Sequence, residues 1–264
     1  MGILLGELEI RQLEILMSAF TLFFSLLGGV LPALLWLWFW LREDRLHPEP
    51  RGLLVFSFIA GMVAVLPALW LEQWVCGQVI VNSLSECPTG LTFARDVWFV
   101  IIGWAVIEEV LKYGASYYAA LRKRDNDEPI DALIYLITAA LGFAALENTL
   151  FLSGAIKTGG LFKGVDIGVL RFVGASLLHV VTSGFIGFCI ALAFYKSRAA
   201  KRLFRALGIT GAIALHTLFN FYILESAGDA KMTFTVFAFV WLAIILLIIA
   251  FEKVKQLKEP TRRL

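Results

Sequence analysis

Apolar stretches long enough to cross a lipid bilayer recur along this chain of 264 residues. Of these residues 59% are hydrophobic and 17% are charged, which is less charge than a soluble domain of this size carries. A backbone inside hydrocarbon must satisfy its own hydrogen bonds, so repeated spans predict helices rather than irregular segments or open sheets. We therefore predict an all-α polytopic membrane protein that forms a single domain over residues 1–264.

The apolar segments predict a bundle of about seven transmembrane helices. Their approximate bounds are 15–41, 53–71, 97–121, 130–152, 170–195, 203–224 and 232–251. An odd number of spans places the two termini on opposite sides of the membrane. Most of the 23 Lys and Arg residues fall in segments that lie inside if the N-terminus is outside. The positive-inside rule therefore favours N-terminus out and C-terminus in.

The segment at 104–121 carries charges in the middle of an apolar span, WAVIEEVLKYGASYYAAL. Charged groups at that depth are costly, so Glu108, Glu109 and Lys112 need partners or a function. Glu108 and Lys112 are four residues apart and share a helical face, and Glu109 reaches Lys112 at three residues. Lys112 is expected to hold one glutamate as a structural ion pair and to leave the other for chemistry.

Later spans supply polar groups at a similar depth. Glu147 lies in the fourth span, His179 in the fifth, and His216 in the sixth with Asn220 four residues further on the same face. At the helical rise, Glu108 and these Glu and His residues lie roughly 8 to 16 Å below the outer ends of their spans. We therefore expect them to meet in the outer half of the membrane.

These residue types permit hydrolysis of an amide bond in two ways. A glutamate in a low-dielectric site suits a general base near neutral pH, and it could take a proton from water that attacks a carbonyl. A His and an Asn could then donate hydrogen bonds to the developing oxyanion. Alternatively, two His and a Glu could hold Zn²⁺, which would activate the water. The residues themselves leave both arrangements open.

Other polar residues have structural interpretations. Arg171, near the outer interface, is predicted to be a snorkelling anchor. Cys76 and Cys87 lie in one polar loop and either form a disulfide or remain two free thiols. Glu109 with Lys112 alone would be typical of a buried ion pair, and His179 alone of a helix contact. The whole set, spread over four spans, favours function.

At these residues the chain resembles the PrsW family of membrane proteases, a branch of the group that includes the CAAX-processing endopeptidases and bacteriocin-processing enzymes. The matching pieces are EEVLK at 108–112, DEPIDALIY at 127–135, GFAALEN at 142–148, His179 in its apolar helix, and HTLFN at 216–220. The similarity covers about residues 97–224, and the ordered set is specific. The wider group often has His where this chain has Glu147, which weakens prenyl-protein processing as the activity.

The resemblance implies a catalytic set on four spans. Its members are Glu108, Glu109, Glu147, His179, His216 and Asn220. Glu108 looks like the water-activating base and Glu109 its support, while His216 and Asn220 look like an oxyanion or ligand pair. The candidate metal ligands are Glu147, His179 and His216, with Zn²⁺ as the candidate ion.

The resemblance also implies a substrate and a location. The activity would be proteolysis of a single-span, membrane-anchored protein that resembles an anti-sigma factor and is cut near its outer face. The protein would lie in the lipid bilayer of a prokaryotic plasma membrane, and we expect no nucleic-acid partner. Two alternatives remain: a proton- or ion-coupled transporter that uses the buried Glu, His and Lys as a relay, and a non-catalytic scaffold. Against the transporter, the two halves of the chain show no repeat in hydropathy.

Overall fold

Every regular element in the described part of the chain is a helix, which confirms the all-α prediction. A computed structural model describes residues 2–43, 48–79, 95–226 and 229–259. The helices are α1 Gly2–Leu41, α2 Arg51–Val79, α3 Arg95–Ser116, α4 Asp131–Leu170, α5 Ser176–Leu192, α6 Arg198–Glu225 and α7 Ala230–Lys255. A π-helical turn, Tyr117–Leu121, follows α3, and a second, Arg171–Ala175, joins α4 to α5.

Five helical stretches of the described residues are long and apolar enough to cross a membrane. They are Met17–Leu41, Arg51–Gln78, Asp131–Leu192, Arg198–Glu225 and Ala230–Lys255, with mean hydropathies of 1.5 to 2.9. The chain is therefore an integral membrane protein. α3 is not among the five because its centre carries three charged residues. Cys76 is buried in α2 rather than in a loop, and Cys87 lies outside the described residues, so the two alternatives predicted for this pair both stay predictions.

The first part of α4 is the central helix of the bundle. Its residues from Asp131 to Ala145 are all buried, and it packs against α1, α2 and α5. Such a helix can be apolar on every side because no face meets solvent or lipid. The chemically important end of this helix, near Glu147, is thus held by neighbours on several sides.

The segment 153–169 between the predicted fourth and fifth spans is helical rather than a loop, because α4 continues through it and turns back on itself. The turn is at Gly160, whose φ of 74° lies in the left-handed region that favours glycine. A Cβ on Gly164 would collide with Ile156, and one on Gly168 would lie 3.6 Å from Leu152. The two arms therefore run antiparallel in close contact, which small residues permit in membrane helices.

Replacing Gly164 with Leu is expected to destabilise this hairpin by about 1–3 kcal/mol, because the new side chain must displace Ile156 or separate the arms. The measurement is thermal unfolding of the purified protein in detergent. Gly154→Leu is the matched control, since a Cβ at Gly154 meets nothing within 4 Å. Equal unfolding temperatures for the two variants would contradict close packing of the arms.

The last two helices begin at residues that cap their free backbone donors. The Ser197 hydroxyl accepts a hydrogen bond from the Ala200 N–H at 3.3 Å, before α6. The Asp229 carboxylate accepts from the N–H groups of Lys231 and Met232, at 2.9 and 3.2 Å, before α7. These caps satisfy donors that have no partner inside the helix, so the local sequence defines where each helix starts.

Candidate active site

The charged residues of α3 are buried at the centre of the bundle. Glu108 is 6% exposed, and Glu109 and Lys112 are fully buried. The Lys112 ammonium lies 2.6 Å from Glu109 Oε1 and 3.9 Å from Glu108 Oε2. Lys112 therefore pairs mainly with Glu109, and Glu108 Oε2 has no hydrogen-bond partner among the described residues. Helical spacing predicted that Lys112 holds one of the two glutamates as an ion pair, and the structure shows that this glutamate is Glu109.

His216 reaches the same carboxylates from α6. Its Nδ1 lies 2.7 Å from Glu109 Oε1, and its Nε2 lies 3.7 Å from Glu108 Oε1. With Glu109 ionised beside Lys112, the Nδ1–H of His216 donates to Glu109. The lone pair of Nε2 then faces Glu108, so Glu109 fixes both the orientation and the tautomer of this imidazole.

His179, on α5, is held in the same manner by a carboxylate of α4. Its Nε2 lies 3.1 Å from Glu147 Oε2, and its Nδ1 lies 3.8 Å from Glu108 Oε2. The Lys112 ammonium donates to Nδ1 at 2.9 Å, so Nδ1 is the acceptor and Nε2–H donates to Glu147. Each imidazole thus gives one N–H to a carboxylate and directs its other nitrogen toward Glu108.

Arg171 holds Glu147 in this position. Its guanidinium donates to the Glu147 carboxylate and to the Asn148 side chain, and it lies 3.8 Å from the centre of the Phe151 ring. Asn148 in turn donates to the Ser176 hydroxyl at 2.9 Å. The predicted role of Arg171 as an interface anchor is wrong, because the hairpin directs its side chain into the bundle toward the partly buried Glu147 carboxylate.

Among the described residues, Glu108, His179 and His216 form a group whose donor atoms are close enough to hold one metal ion. One ligand atom from each lies within 4.8 Å of the other two, and all three residues are buried. This set differs from the predicted set, in which Glu147 took the third place, since Glu147 is instead bonded to Arg171 and to the far nitrogen of His179.

The chemistry of the three donors fits a Zn²⁺ ion. Zinc sites commonly combine two His with a carboxylate, and their histidines donate the other ring N–H to a carboxylate or carbonyl, as both do here. Glu108 Oε2 is a buried acceptor without a partner among the described residues. The Lys112 ammonium donates a hydrogen bond to the lone pair of His179 Nδ1. This bond must break before Nδ1 can bind a metal.

A cavity of about 580 Å³ opens beside these groups. Its polar lining includes Glu108, Glu147, His179, His216 and Asn220, and most of its other lining residues are apolar. A space of this size accommodates a short peptide segment, and an enclosure with few polar groups is typical of a binding site. Glu109 is not among the lining residues, in keeping with a supporting role behind Glu108.

Five of the six predicted site residues thus line one cavity, and the sixth, Glu109, is bonded to His216 behind it. Two further charged residues line it, Glu72 on α2 and Arg171, and sequence reasoning assigned neither to the site. Glu72 follows Val65, Ala68 and Leu69 at helical spacing, a signal that places it on their face of α2. The available signal for Arg171 was a charged residue within an apolar run, which indicates that the charge needs a partner.

Comparisons with known proteins identify relatives over most of the chain. The chain matches the family described as PrsW family intramembrane metalloprotease over residues 49–249. It is 25% identical to Protease PrsW of Geobacillus kaustophilus, with 90% of this chain and 95% of that protein covered. It is 24% identical to Protease PrsW of Bacillus subtilis, with 81% and 89% covered. No solved structure matches the chain.

Proposed function

The chain belongs to the PrsW family of intramembrane metalloproteases, and from this premise we propose that it hydrolyses a peptide bond of a single-span membrane protein. The observation that carries the proposal is the convergence of Glu108, His179 and His216 at the wall of one cavity. A buried carboxylate between two oriented imidazoles is suited to moving a proton and to stabilising negative charge.

Glu108 is the proposed general base, because its side chain lines the cavity and its Oε2 has no hydrogen-bond partner among the described residues, while Glu109 is bonded to Lys112 and His216. Glu108 takes a proton from water as the water attacks the substrate carbonyl, and it returns a proton to the leaving amine. Asn220 lies one helical turn beyond His216 in the cavity wall, and its amide donates a hydrogen bond to the oxyanion.

Glu109 and Glu147 are proposed to position the two imidazoles rather than to react. Each accepts an N–H from one histidine and is neutralised by a cation, Lys112 for Glu109 and Arg171 for Glu147. The residues that would hold a metal are His179, His216 and Glu108, with one Glu108 oxygen as the ligand and the other left to act as the base. A bound Zn²⁺ supplies Lewis-acid activation of water and of the carbonyl.

The proposed setting follows from the charge distribution and the family. We propose seven spans, with α3 as a span despite its charges and with the two arms of Asp131–Leu192 as two more. The N-terminus is outside, the site is in the outer half of a prokaryotic plasma membrane, and the substrate is anti-sigma-factor-like. A transporter is disfavoured, because Lys112 and Arg171 are each bonded to a carboxylate beside one cavity.

The test is the metal content of the purified, active protein beside that of the His179→Ala/His216→Ala variant. We expect about one zinc per chain in the parent and loss of that zinc in the double variant, since the variant lacks both imidazole ligands of the site. Elemental analysis measures this directly, and His47→Ala, which changes the remaining histidine, is the control. Active protein without metal would instead assign water activation to Glu108 alone, with the histidines and Asn220 serving the oxyanion.

A further inference from the structure

One carboxylate of the cavity wall has no place in the proposed chemistry. Val65, Ala68, Leu69 and Glu72 line the cavity from α2. Their spacing puts all four on one face of the helix, with three apolar residues followed by a carboxylate toward the C-terminal end of α2. A carboxylate on this otherwise apolar face of α2, in a membrane protein, calls for a function.

The backbone at Glu72 is held in place by α3. The Trp104 indole N–H donates to the Glu72 carbonyl oxygen at 3.2 Å, and both residues line the cavity. This bond spans 32 residues of sequence and ties the end of α2 to the helix that carries Glu108. Glu72 is therefore presented to the cavity from a fixed point of the bundle.

The Glu72 carboxylate differs from those of Glu109 and Glu147 in having no bonded cation among the described residues. Lys112 is bonded to Glu109, and Arg171 is bonded to Glu147. Within the described ranges, no hydrogen bond or salt bridge engages the Glu72 side chain. The cations of the site are thus committed elsewhere, and Glu72 is left as an acceptor that faces the space a substrate occupies.

We propose that Glu72 determines specificity by binding a Lys or Arg side chain of the substrate at the α2 end of the cavity. The inference rests on the proposed function, since it assigns a residue to the substrate of that site. A basic side chain supplies both charge and hydrogen-bond donors, and such charge-assisted bonds are stronger than neutral ones. An acidic side chain at the same place is repelled by Glu72, and the described cations beside the cavity are already bonded to Glu109 and Glu147.

The test measures binding separately from cleavage. The full-length Glu108→Gln protein in neutral detergent is titrated with three labelled single-span peptides. These share one Leu/Ala-rich span and differ in three flanking positions that are all Lys, all Gln or all Glu. We expect the Lys peptide to bind about tenfold more tightly than the Gln peptide, and the Glu peptide to bind most weakly.

Variants at Glu72 assign the effect to this residue. Adding Glu72→Gln is expected to remove the charge preference, and Glu72→Lys is expected to reverse it toward the Glu peptide. The matched control is Glu225→Gln, which changes an exposed carboxylate that does not line the cavity. Equal binding of the three peptides, or a preference for Lys that survives Glu72→Gln, would overturn the proposal.

Cleavage of the same peptides by the protein that retains Glu108 tests the proposed function independently. Peptides that bind with the expected charge preference but are never cut would count against the protease and leave the role of Glu72 intact. If the peptides are cut at equal rates and bound equally, the proposed protease activity would stand and the proposed role of Glu72 would be excluded. The two proposals therefore fail in distinguishable ways.

Discussion

Replacing Glu108 with Gln is expected to lower cleavage of a single-span substrate by a factor of about 10² to 10⁴, the usual contribution of a general base. The amide has the size of the carboxylate but cannot take a proton from water. Glu108 Oε2 has no hydrogen-bond partner among the described residues, so the substitution breaks no bond at that atom and folding should be retained. The measurement is cleavage by the purified protein in liposomes, beside its thermal unfolding temperature.

The matched control for this substitution is Glu225→Gln, which neutralises an exposed carboxylate at the end of α6. It should cleave at the parent rate. Parent-like cleavage by the Glu108→Gln protein would exclude Glu108 as the base and turn attention to Glu147, which also lines the cavity and is bonded to His179. Loss of folding in the Gln variant would also contradict the expectation, because it would show that Glu108 is structural.

Replacing Lys112 with Ala is expected to destabilise the protein by about 3–5 kcal/mol, the cost of leaving a buried charge without its partner. Lys112 is fully buried and bonded to Glu109, which is fully buried as well. Removing the ammonium also takes a hydrogen bond from His179. Equilibrium unfolding in mixed detergent measures the change, and Lys157→Ala, at an exposed lysine, is the control.

A second variant separates lost charge pairing from lost packing. Glu109→Gln/Lys112→Met removes both charges and keeps side-chain volume, so it should recover much of the stability that Lys112→Ala loses. It should not recover activity, because Glu109 orients His216. If the double variant is no more stable than Lys112→Ala, the buried pair is not the source of the loss.

Local sequence was sufficient to predict the helices and the relations within them. A helix satisfies its backbone by bonds four residues apart, so apolar runs of spanning length predict their own structure. The same periodicity placed Lys112 within reach of Glu108 and Glu109, and Asn220 one turn beyond His216. Helical periodicity did not predict the hairpin within α4, because the close packing of the two arms depends on contacts of Gly164 and Gly168 with the opposite arm.

The sequence by itself therefore determined an all-helical membrane protein and the residue types available for chemistry. Only the tertiary structure decided which carboxylate serves which imidazole. Glu147 and His179 are 32 residues apart and Glu109 and His216 are 107 apart, so their pairing depends on how separate helices pack and rotate. That packing puts Glu108 between the two imidazoles, turns Arg171 inward to Glu147, and leaves Glu72 facing the cavity. Helical periodicity defines a face within one helix, but interactions between distant segments define which faces meet.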